Sequence, residues 1–78
     1  MREKTLRTVA AFHTTTDAMA AEARCLRCGV PGRLIPLPPV ISAGCGLCWS
    51  APREERDRVV AAIEAAGVTP AGIYEMLL

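Results

Sequence analysis

The stretch Thr14-Thr15-Thr16-Asp17-Ala18-Met19-Ala20-Ala21-Glu22-Ala23-Arg24-Cys25-Leu26-Arg27-Cys28-Gly29 decides how the chain folds. A threonine hydroxyl at its start can accept from free backbone amides, and Asp17 in the first turn suits the positive end of a helix dipole. The alanine-rich run Ala18 to Ala23 has high helix propensity. Gly29, Val30 and Pro31 supply the expected stop. A helix is therefore predicted over Thr15 to Cys28, with Ala18, Met19, Cys25 and Leu26 as its apolar face.

Working outward from this helix, Thr5 to Phe12 reads as a strand with apolar side chains on both faces, and it stops at His13. On the other side, Gly32 to Leu37 is a short strand ended by Pro38 and Pro39, which lack amide donors. Val40 to Gly46 is a glycine-containing loop, and Leu47 to Ser50 resumes a strand. Pro52 opens a second helix whose early turns hold Glu54, Glu55 and Asp57 and whose buried stripe is Val59, Val60 and Ile63, running to Gly67. Gly72 to Leu78 is the last strand.

The order strand, helix, strand, strand, helix, strand contains a weak internal repeat. Cys28-Gly29-Val30 leads into Leu34-Ile35 as Ala66-Gly67-Val68 leads into Ile73-Tyr74. Two strand-helix-strand halves make an α+β, ferredoxin-like split βαβ sandwich (βαββαβ), two helices on one antiparallel four-stranded sheet.

Length and composition agree with one small domain over residues 1–78, residues 1–4 being a polar tail. The chain has 78 residues, 51% hydrophobic and 22% charged, outside the regime of disordered chains. A net charge of +1 and three scattered aromatics offer no footprint for nucleic acid. The longest charge-free stretch, Leu34 to Pro52, is interrupted by prolines and glycines, so no membrane span is expected and a cytoplasmic location is. In a reducing compartment the four cysteines point to metal binding or thiol chemistry rather than disulfides.

Cys25, Cys28, Cys45 and Cys48 form two CxxC pairs with sixteen residues between them, the spacing of a four-thiolate zinc site. The predicted topology opposes that reading. Chain direction alternates, so the first helix leaves Cys28 at the end of the sheet opposite His13, while the next strand returns Cys45 to the His13 end. A strand of five or six residues spans about 17 to 20 Å, whereas zinc ligands lie within about 2.3 Å of the metal. The first helix favours the split βαβ fold, in which the pairs are separate, no cofactor is needed, Cys25 is a small core side chain and Cys28 a helix-end residue. Zinc binding by all four is the alternative, a small interaction module.

Cys45 lies in the loop Ser42-Ala43-Gly44-Cys45-Gly46 and is expected near His13 and the amides opening the first helix at Thr14. A helix N-terminus and a neighbouring imidazolium both favour a thiolate, and Gly44 and Gly46 would let backbone amides approach an anionic adduct. A cysteine that merely occupies a turn is the plain reading. Cys48 is either a strand residue or a resolving thiol for Cys45, which would make a CxxC thiol-disulfide switch. His13 is either a strand-end surface residue or a base.

Phe12-His13-Thr14-Thr15-Thr16-Asp17-Ala18, Glu22, Gly29-Val30-Pro31, Arg33-Leu34-Ile35-Pro36 and Ile41-Ser42-Ala43-Gly44-Cys45-Gly46-Leu47 together resemble the small bacterial selenium/sulfur carrier-like domain family. The resemblance covers nearly the whole chain and rests on a Ser-x-x-Cys-Gly loop after a proline-containing strand, matched by Ser42, Cys45 and Gly46. Relatives stand alone or follow a domain similar to the sulfur carriers of tRNA thiolation. The resemblance implies a persulfide or selenide carried on Cys45. Joined to the reading of the loop, it gives the expectation of a carrier, not an enzyme, with His13, Thr14, Ser42, Gly44 and Gly46 supporting Cys45 and with donor and acceptor proteins as partners. Cys25, Cys28 and Cys48 depart from the family pattern. Apolar residues on both faces of the strands (Val9 with Ala10, Leu34 with Ile35, Met76 with Leu77) predict an exposed apolar sheet face, hence a homodimer or a docking partner there.

Overall fold

The computed structural model describes residues 4–42 and 44–78. Most of the expected polar tail, and Ala43 of the cysteine loop, lie outside the described residues. The chain forms β1 (Leu6–Ala11), α1 (Thr15–Arg27), β2 (Arg33–Pro36), β3 (Leu47–Pro52), a 3-10 turn (Arg53–Glu55), α2 (Arg56–Ala65) and β4 (Gly72–Leu77). The sheet order is β2-β3-β1-β4 with every neighbouring pair antiparallel. This is the split βαβ arrangement read from the sequence.

α1 begins as its residues dictate, with the Thr14 hydroxyl accepting from the Asp17 amide at 3.0 Å. Both helices end alike, which explains the internal repeat. After α1, Gly29 takes φ +70° and the Gly29 and Val30 amides donate to Leu26 and Cys25; after α2, Gly67 takes φ +72° and the Gly67 and Val68 amides donate to Glu64 and Ile63. Each is a Schellman end, and glycine is the residue that enters this left-handed conformation without a Cβ penalty. The buried pairs Cys25 with Val30 and Ile63 with Val68 close the two motifs.

Both helix faces differ from expectation. In α2 the buried stripe is Val59, Ala62 and Ile63, with Val60 only partly buried. Ala18, Ala21 and Cys25 turn inward, while Met19 and Leu26 are 59% and 63% exposed. Small side chains let α1 lie close to the sheet, and the bulk comes from the strands: Trp49 and Phe12 are fully buried among Ala10, Ala51, Val59, Ala62 and Ile63. Pro52 also departs from expectation. It closes β3 and precedes the 3-10 turn, so α2 proper starts at Arg56.

The sheet face away from the helices is not open along its whole length. Val9, Ala11 and Cys48 on that face are buried beneath Ile41, with Leu37 packed alongside, so the segment after β2 roofs the upper half of the face. Pro38, whose carbonyl accepts the Ile41 amide at 3.0 Å, turns the chain back over the sheet. The apolar face from which self-association was expected is thus covered in part by the chain itself.

Candidate functional site

The loop between β2 and β3 docks on the end of β1. The Cys45 amide donates to the Phe12 carbonyl at 3.4 Å, and the Gly46 carbonyl accepts the Leu37 amide at 2.9 Å, so the loop is tied to both neighbouring segments. Gly44 packs against the His13 backbone so closely that a Cβ there would lie 2.6 Å from the His13 carbonyl oxygen. Gly46 has φ +76°. Together these contacts place Cys45 at the junction of β1 and the N-terminus of α1, the position expected from the alternation of chain direction.

Cys45 is half-buried, with its side chain against the helix-side core. Its Sγ accepts the Leu47 amide at 3.4 Å and donates to the Leu47 carbonyl at 3.5 Å. The sulfur's hydrogen bonds among the described residues therefore go to the β3 backbone, not to the α1 amides or the His13 ring. Thr14 spends its hydroxyl on capping α1. His13 is exposed and contributes its backbone carbonyl to the fit with Gly44. Ser42 is exposed one residue before the undescribed Ala43.

All four cysteines are free, and they divide into two kinds. Cys25 and Cys48 are fully buried, one in each apolar cluster. Burial pushes the thiol of each up to about 11, with a smaller contribution from Cys28 to Cys25 and from Cys45 to Cys48. A thiolate is the form that attacks, so Cys48 is a poor resolving thiol at neutral pH, and its place in β3 fits the strand reading. Cys45 and Cys28 are the thiols that solvent reaches.

A single metal centre does not form. α1 has thirteen residues, which at 1.5 Å per residue separates its ends by about 20 Å. Cys28 lies at the far end, where the Arg58 guanidinium donates to the Cys28 and Gly29 carbonyls at 3.2 Å each. Among the described residues no three His, Cys, Asp or Glu side chains gather to hold a metal ion. The CxxC-x16-CxxC spacing is thus two local pairs at opposite ends of the sheet.

A family model described as "Putative Se/S carrier protein-like" matches residues 7–75 of the chain. The chain belongs to this family. No curated protein and no solved structure matches it. The Se/S carrier-like match runs from β1 into β4 and so takes in the Cys45 loop together with the β1 end on which it docks. No described helix is long and apolar enough to cross a membrane.

The buried thiols make a pH prediction. Their folded pKa values of about 11 stand above the ordinary value of 9.0, so the unfolded chain loses these protons first. The stability they support is fully present below pH 9 and is lost as pH rises through about 11. Urea unfolding from pH 8 upward should show a falling midpoint across that window, and Cys48→Ala should flatten the fall. A midpoint slope that Cys48→Ala leaves unchanged would remove the argument.

Proposed function

We propose that this chain is a carrier of sulfane sulfur or selenium, with Cys45 as the acceptor. The observation that carries the reading is the contrast among the four thiols of a Se/S carrier-like chain: Cys45 alone is both solvent-accessible and seated in a glycine-flanked loop docked on the sheet, whereas Cys25 and Cys48 are sealed in the cores. In the loading step the Cys45 thiolate attacks the terminal sulfur of a donor persulfide. A Cys45–S bond forms, the donor's S–S bond breaks, and the donor leaves as its thiolate, so there is no net oxidation. A donor holding selenium in the terminal position reacts in the same way. Delivery repeats the step in reverse on an acceptor.

The Leu47 amide, 3.4 Å from the sulfur, holds it against the start of β3. The glycines leave the approach open to a partner's cysteine. Transfer is stoichiometric, one cargo atom per chain, and the partners are donor and acceptor proteins of the cytoplasm. Cys45→Ser should abolish sulfur uptake from a persulfide donor, measured as cyanide-releasable sulfur, with an unchanged circular dichroism spectrum. Cys28→Ser should keep it, since Cys28 lies at the other end of α1. Retained uptake in Cys45→Ser, or loss in Cys28→Ser alone, would refute the assignment.

A further inference from the structure

The lower half of the far sheet face, below the Ile41 roof, holds a cleft of about 490 Å³. Arg7 and Arg33 stand on β1 and β2, either side of β3, in a register that pairs Arg33 with Ser50 and Arg7 with Pro52. Their Cα atoms are thus two strand spacings apart and two residues offset along the strand, roughly 12 Å in all, near enough for two long side chains to converge above Ser50. The Arg7 guanidinium is already oriented there: its Nε donates to the Ser50 hydroxyl at 3.0 Å and Nη2 to the Ser50 carbonyl at 3.3 Å. Of the five donors of a guanidinium, three remain for a ligand.

Among the described residues no side chain lining the cleft is acidic and neither arginine is in an ion pair. The two ion pairs among those residues, Arg53 with Glu75 and Arg58 with Glu55, lie elsewhere. Thr5 adds a hydroxyl to the rim, and Ile35 and Leu78 form an apolar wall. Gly32 has no room for a side chain, because a Cβ there would lie 2.5 Å from the Ser50 carbonyl oxygen.

We propose that this cleft binds a small organic phosphate. Two guanidinium groups match a dianion, and a tetrahedral phosphate offers oxygens to both in the bidentate geometry arginine favours. A single carboxylate would neutralise only one of them. The cleft exceeds the size of inorganic phosphate, and its apolar wall takes the organic part of the ligand. The site is distinct from Cys45, which lies at the other end of β3.

The test is an amide NMR titration of the intact chain at constant ionic strength with inorganic phosphate, phenyl phosphate and benzyl alcohol. Both phosphates should shift the Arg7, Arg33 and Ser50 amides saturably, phenyl phosphate binding about tenfold tighter by contact with the apolar wall, and benzyl alcohol should not bind. Arg33→Gln, at an exposed position, should weaken phenyl phosphate about tenfold with an unchanged urea midpoint. Absence of a saturable shift with either phosphate, or affinity that survives Arg33→Gln, would overturn the proposal. So would a short poly-glutamate peptide binding more tightly than phenyl phosphate, which would make the cleft a protein-docking surface.

Discussion

Trp49→Ala should destabilise the fold by about 3 to 5 kcal/mol, most of what a domain this small possesses. Trp49 heads the fully buried side chains by volume, and its strand partners are Ala10 on β1 and Leu34 on β2. Facing it across the core are alanines of both helices, Ala18, Ala21 and Ala62, none of which can grow to fill the space. The cavity would persist, and its cost adds to the lost burial. Urea unfolding followed by far-ultraviolet circular dichroism measures the difference.

Trp49→Phe separates size from polarity. The Trp49 Nε1 is buried with no hydrogen-bond partner among the described residues, and an unmet buried donor costs about 1 to 3 kcal/mol. Phe removes that donor while keeping a ring in place. It should therefore cost no more than about 2 kcal/mol, well below Ala. Equal losses in the two variants would mean that the ring volume does not hold the sheet to the helices.

Gly44→Ala should destabilise the chain by about 1 to 3 kcal/mol, the range for overpacking a tight site, and should slow sulfur uptake at Cys45. The cause is space alone: Gly44 is not among the glycines with positive φ, but its Cβ would meet the His13 carbonyl oxygen at 2.6 Å and the carbonyl carbon at 3.4 Å. Neither backbone atom can rotate away. The loop must lift from β1, which lengthens the 3.4 Å hydrogen bond from Cys45 to Phe12 and moves the sulfur. Gly46→Ala is the control, since nothing lies within 4 Å of a Cβ at Gly46; its penalty is the left-handed backbone, about 1 to 2 kcal/mol, without a push on β1. Denaturation midpoints and uptake rates of the two variants, compared side by side, test the docking. Identical uptake in Gly44→Ala and the parent would show that the Gly44–His13 fit does not position Cys45.

The order of elements was legible because its signals are local. Thr14, Asp17 and the alanine run mark where α1 starts, and Gly29 and Gly67 mark both helix ends by the one conformation that glycine enters freely. From alternating direction alone, Cys45 and Cys28 could be placed at opposite ends of the sheet, which separates the two CxxC pairs. What the sequence did not disclose depends on contacts between distant segments. Met19 and Leu26 look like core residues by type, yet α1 rolls to bring alanines inward because Trp49 and Phe12 already occupy the space. Trp49 carries no periodic signal of its own in a strand buried on both faces. Leu37 reads as the end of a strand and Ile41 as a loop residue, and only the fold shows them roofing Val9 and Cys48. The hydrogen bonds of Cys45 to Leu47 escaped notice for a related reason: a sulfur folding back on its own following strand leaves no mark beyond the glycine beside it.

The most direct test of the carrier reading is peptide mapping of the unmutated protein by mass spectrometry after incubation with a persulfide donor under native conditions. One added sulfur atom on the peptide containing Cys45, removed by mild reduction and absent from the Cys28 peptide, is the result predicted. An adduct confined to Cys28, or a protein whose four thiols all remain unmodified beside a competent donor, would contradict it.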